Sequence, residues 1–217
     1  MGAPTSNSNK TTTRSRGRPA GRTSADGVIA NSEALLKTAE ALIRAKGPAV
    51  SLQAIAEQAG VTKPTLYREV GDRDALVKAL AERLSVRMAS SVSQMVAKAS
   101  DPREGMRNLV AGYLELAATD RNVYLFVTAG GTGDDRVQQS LLLADGAAGQ
   151  FAEPIAAYRK ANGADPDVAI VWSYGLLGAM HFVTLWWLRD STADINVVID
   201  QITALLWSGM GQVPRAE

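Results

Sequence analysis

Within the six residues from Lys63 to Arg68 the chain carries Lys63, Thr65, Tyr67 and Arg68, with Ser51, Thr62 and Arg73 on either side. These side chains share one chemistry, hydrogen bonding to nucleic acid. A lysine donates to guanine O6 and N7, a threonine methyl meets the thymine methyl, and tyrosine and arginine reach phosphates or base edges. No competing catalytic chemistry is readable, because no nucleophile–base pair can be identified from spacing. With no cysteine and one histidine, His181, neither a metal site nor a cofactor is expected. Gly130-Gly131-Thr132-Gly133 has no Lys-Ser/Thr after it, so it is read as an interhelical break and not as a phosphate loop.

Positioning those side chains requires short helices at fixed angles. Ser51 caps a helix that turns Leu52, Ile55, Ala56 and Ala59 inward, and Ala59-Gly60-Val61 makes a tight turn. Thr62 caps the next helix, with Pro64 in its first turn, where a missing N–H costs nothing. Leu66 and Val70, four residues apart, define its core side. Pro64, Thr65 and Arg68 then point away from the core, with Lys63 and Tyr67 on the flanks. Gly71 ends this helix and Asp72 caps a longer one running to about Lys98. Ahead of the pair, apolar residues at helical spacing from Val28 to Ala45 predict an amphipathic helix that stops near Gly47-Pro48. A helix, a turn and a second helix built to lie in the DNA major groove is the arrangement that results.

The stretch Leu52–Leu76, IAEQAGVTKPTLYREVGDRDAL above all, resembles the DNA-binding domain of TetR-family transcriptional regulators. The resemblance is close over residues 28–76 and beyond them rests on helix number and length. It implies base or methyl contacts for Lys63, Pro64, Thr65 and Tyr67, and phosphate contacts for Ser51, Tyr67 and Arg73. It also implies a C-terminal helical domain that dimerises and binds a small-molecule effector. The chain departs from the family pattern at Glu69-Val70, where a histidine and an aromatic are common. Val70 suits a core position, whereas Glu69 either accepts from cytosine N4 or pairs with a local cation such as Arg73.

The expected fold is all-α: a basic arm (1–25), a helix-turn-helix domain (26–71), a connecting helix (72–98), an effector and dimerisation domain (99–211) and a tail (212–217). Further helices are expected near 102–118, 120–129, 134–161, 166–189 and 193–209. Charge is divided along the chain. Residues 1–98 hold fifteen Lys/Arg against eight Asp/Glu, and residues 99–217 hold eight against fourteen, which suits a polyanion-binding front half. The arm has five basic and no acidic residues, and Arg16 and Arg18 are candidates to follow phosphates or enter a minor groove.

In the second half, Tyr113, Phe126, Trp172 and His181 are candidate effector-binding residues, since aromatics with one polar atom line apolar cavities; for any single one of them plain core packing is the favoured reading. Gly175, Gly178 and Ala179 would let a partner helix approach closely, with Phe182 and Trp186 supplying apolar area for a homodimer. The uncharged run from Val168 to Leu188 is long enough to span a membrane, but its Ser, Gly, His and Thr residues favour a buried soluble helix. With no apolar leader at the start, the chain is expected to be cytoplasmic and not membrane-bound. The function expected is a ligand-responsive repressor on a near-palindromic operator of double-stranded DNA. The rival is a helical protein–protein interaction module that keeps the same shape without reading DNA.

Overall fold

The computed structural model describes residues 31–129, 133–190 and 192–211, together with Gly2. The described elements are helical throughout. In chain order they are α1 (Ser32–Lys46), α2 (Leu52–Gln58), α3 (Lys63–Glu69), α4 (Arg73–Val96), α5 (Pro102–Thr119), α6 (Arg121–Ala129), α7 (Gly133–Ala161), α8 (Ala169–Asp190) and α9 (Ile195–Gly211).

Local chemistry sets where these helices begin. Asn31, Ser51, Thr62, Asp72 and Asp101 each accept from the backbone N–H three residues on, at 2.7 to 3.3 Å. Each such cap contributes about 1 kcal/mol by satisfying an otherwise orphaned donor. The first helix starts at Ser32 under the Asn31 cap, whereas Val28 and Ile29 lie outside the described residues, as does the basic arm with Arg16 and Arg18. The break at residues 130–132 and the tail from 212 onward also lie outside them.

Two apolar cores organise the molecule. The first holds Leu35, Leu42, Ile43, Ile55, Leu66, Leu76 and Leu80 from α1 to α4, and it also takes Val123, Phe126 and Val127 from α6. The second is built on Leu84, Val110, Leu114, Tyr124, Leu176, Met180 and Ile199, from α4, α5, α6, α8 and α9. Thus α6 faces both cores, with Val123, Phe126 and Val127 on one side and Tyr124 on the other. A charged seam runs alongside. Glu40 on α1 pairs with Arg44 at 2.9 Å, Arg87 at 2.6 Å and Arg83 at 3.6 Å, and Asp120, at the α5–α6 turn, pairs with Arg44 at 2.7 Å and Arg87 at 3.2 Å. Both carboxylates are nearly buried, so their cost of desolvation is offset only by this multiple pairing.

The apolar run near 168–188 forms α8, which packs against α7, α5 and α9. Ser173, Met180 and Thr184 lie fully buried on its inner side, and Ser173 Oγ donates to the Ala169 carbonyl at 3.0 Å. By length and apolarity it remains the one described helix able to cross a membrane. About a third of that span is buried inside the protomer, and the exposed remainder includes Val171, Phe182 and Trp186.

Candidate nucleic-acid interface and the core behind it

The α2–α3 turn is closed by the Val61 N–H donating to Ala56 O at 3.0 Å. Gly60 sits there with φ +66, a left-handed conformation that a side chain resists. At the far end of α3, Gly71 has φ +94, and a Cβ on it would come within 2.6 Å of Ala75 Cβ. Glycine is therefore required at both ends of the recognition helix. Leu66, 1% exposed, plugs α3 into the first core, and this single anchor fixes which face looks outward.

That outward face carries Lys63, Pro64, Tyr67 and Arg68. Tyr67 is 42% exposed, unusual for so large a ring, and Lys63 Nζ lies 5.7 Å from its centroid. The half-buried Thr65 shares a 2.9 Å hydrogen bond with Thr62 Oγ1, so its hydroxyl is occupied while its methyl is left for apolar contact. Ser51 is exposed at the start of α2 and caps that helix. Glu69 pairs with Arg68 at 2.9 Å and not with Arg73, which takes its charge off the presented surface.

Arg73, for which the resemblance implies a phosphate contact, makes contacts within the protein. Its Nη1 donates to Val50 O at 3.1 Å and Nη2 to Pro48 O at 3.5 Å, while the guanidinium carbon lies 4.6 Å over the Phe126 ring. In this arrangement it ties the α1–α2 loop to α6.

The four candidate effector residues do not form one group. Phe126 is fully buried in the first core beneath Arg73. Trp172 packs under the Arg159 guanidinium at 4.7 Å, and Arg159 Nε donates to Asp165 O at 2.6 Å, an α7–α8 clamp. Tyr113 and His181 are joined by hydrogen bonds through Tyr124, which sequence reasoning missed, and Trp172 packs against the core that holds both tyrosines. Tyr113 Oη is 3.1 Å from Tyr124 Oη, which is 2.8 Å from His181 Nδ1. Burial pushes Tyr113 up to about 12, Tyr124 well up as well, and His181 down, so all three are neutral near neutral pH. The one sequence sign of Tyr124 was the α6 period, which turns it about 100° away from the face of Val123, Phe126 and Val127.

The candidate dimer residues share a side of α8. Phe182 is 70% and Trp186 56% exposed, in line with Gly175 and the half-buried Gly178 and Ala179. Val171 extends this stripe, and on α9 Leu205 is likewise exposed. A Cβ at Gly175 or Gly178 would meet nothing within 4 Å, so the protomer's own packing does not demand glycine at either place.

Comparison with known proteins returns the same chemistry. Residues 35–80 match the family model described as bacterial regulatory proteins, tetR family. Two Mycobacterium tuberculosis proteins named as uncharacterized HTH-type transcriptional regulators, from strains CDC 1551 / Oshkosh and H37Rv, are each 27% identical over 180 residues, spanning 80% of this chain and 74% of theirs. Among solved structures, the regulator FadR from Bacillus subtilis in complex with stearoyl-CoA superposes with TM-score 0.64 at 16% identity, over 82% of this chain and 98% of that one. AibR in complex with isovaleryl coenzyme A and operator DNA superposes with TM-score 0.56 at 20% identity, over 80% of this chain and 96% of that one. At these identities the structural likeness speaks for the fold.

Proposed function

We propose that the chain is a regulator of the TetR type: a cytoplasmic, homodimeric repressor released from a near-palindromic operator by a small apolar or amphipathic ligand. The observation that carries this reading is the outward face of α3. Lys63, Pro64, Tyr67 and Arg68 stand in solvent on a helix anchored by Leu66, with both helix ends held by glycines. Two such helices about one DNA turn apart would read two half-sites. The exposed stripe on α8, with Phe182 and Trp186, is the surface on which two copies would meet.

Release follows as a shift between two populations. An effector held in the second core would displace α6 and α4, since α6 faces both cores and α4 runs from one into the other. Arg73, Phe126 and the Glu40–Asp120 seam would carry that displacement to α1 and α2, changing the spacing of the recognition helices. The ligands named in the FadR and AibR structures, both coenzyme A thioesters, support a ligand-binding role for the second domain. The interaction-module alternative drew its support from Glu69, and the exposed Arg68 pairing, which partly compensates that carboxylate, weakens that support.

Binding to DNA from around the protein's own gene, with excess random-sequence competitor at two salt concentrations, tests the reading. Tight binding that survives competitor and footprints a near-palindrome is expected. Binding that vanishes with added salt would reduce the interaction to phosphate attraction and overturn it.

A further inference from the structure

The second core contains more hydrogen-bonding chemistry than packing needs. Tyr113 on α5, Tyr124 on α6 and His181 on α8 are each at least nine-tenths buried and form one continuous chain. One turn past His181, Thr184 Oγ1 is fully buried with no hydrogen-bond partner. An unsatisfied group of this kind is destabilising, so an apolar side chain would serve stability better. The chain also has an open end. A tyrosine hydroxyl offers one donor and two acceptor sites, and Tyr113 uses one of them on Tyr124. If Nδ1 of His181 carries the proton, Tyr124 donates onward and the Tyr113 O–H is left to seek an acceptor. In the other tautomer the direction reverses and the Tyr113 oxygen takes a donor.

The surroundings specify what could meet that end. Met88, Met95, Met106 and Met180 belong to the same core, and unbranched thioether side chains repack readily around an apolar guest. Among the described residues, no lysine, arginine, aspartate or glutamate bonds to either tyrosine. A carboxylate or phosphate buried against the two hydroxyls would find no countercharge among those residues, and burying it would be unfavourable. A carbonyl or hydroxyl would be satisfied.

We propose that the Tyr113–Tyr124–His181 chain is the recognition element for the effector, and that the effector is an uncharged, largely apolar molecule with one carbonyl or hydroxyl group. The inference rests on the ligand-responsive reading above, and it separates this chain from FadR and AibR, whose named ligands carry phosphates.

Four ten-carbon probes test it on the full-length protein: 2-decanone, 1-decanol, decanoate and decanoyl-CoA. Thermal unfolding reads binding, and operator affinity is measured separately. The ketone and the alcohol should raise the melting temperature at concentrations where decanoate and decanoyl-CoA do not. Tyr113→Phe, which keeps the ring, should weaken their binding on the order of three- to tenfold while leaving ligand-free operator affinity unchanged. His181→Gln provides a second variant with the same expectation. Tighter binding of decanoate or decanoyl-CoA, undiminished binding by Tyr113→Phe, or no binding of either neutral probe would overturn the inference. Operator release by decanoyl-CoA would overturn it while preserving the repressor reading. Tyr113-dependent binding of the ketone without any change in operator affinity would uphold the recognition element and sink ligand-driven release.

Discussion

Tyr67 and Lys63 are placed where a folded monomer gains little from them. A ring 42% exposed, with an ammonium 5.7 Å from its centroid, contributes little apolar burial to the first core. Tyr67→Ala and Lys63→Ala should therefore weaken specific operator binding by about 1–3 kcal/mol each, with the melting temperature nearly unchanged. Titration of a cognate and a scrambled duplex, alongside thermal unfolding, checks both halves of that statement; normal cognate affinity in either variant would mean that the reading face lies elsewhere. His181 belongs to the same scale. Burial lowers its folded pKa below the unfolded value of about 6.5, so above that value both states are neutral and its contribution to stability is fully present. As pH falls, the unfolded state takes up the proton first, and stability is lost as pH drops through the folded pKa. Urea unfolding between about pH 7 and pH 5 should show a steeper loss for the parent chain than for His181→Gln; parallel slopes would contradict a buried neutral imidazole.

Among the elements, α6 does the joining. Its nine residues contribute to both cores, and Phe126 is fully buried on the side that faces α1 and α4. Phe126→Ala should cost about 3–5 kcal/mol by leaving a cavity, and it removes the face on which Arg73 rests. Chemical denaturation would measure the loss, and a cost below about 1 kcal/mol would show that the site collapses without consequence. Locally, α3 was readable from sequence because Leu66 and Val70 at helical spacing decide its inner side. Thr62, Pro64 and Gly71 then decide its ends. No comparable local rule decides where a long flexible side chain goes. The contacts of Arg73 with the Pro48 and Val50 carbonyls and the Phe126 ring have no such local signal.

At the scale of the whole molecule, the exposed apolar stripe on α8 has no counterpart within the protomer. Two rings as open as Phe182 and Trp186, beside glycines with empty space above them, form a surface that water disfavours and a second copy would cover. Phe182→Glu combined with Trp186→Glu should yield a monomer with unchanged helical content and greatly reduced operator affinity. Sedimentation and far-ultraviolet circular dichroism check this, and a stable dimer in the double variant would move the interface elsewhere. Helix order, the Ser51, Thr62 and Asp72 caps, the turn glycines and the inner side of α3 at Leu66 follow from rules spanning three or four residues and were legible in the chain. The Asn31 cap was not, the first helix being expected from Val28. The grouping of Tyr113, Tyr124 and His181, the placement of Phe126 in the other core, and the inward course of Arg73 depend on which helices meet. Those meetings join positions tens of residues apart, and no local periodicity records them; only side-chain packing in three dimensions does.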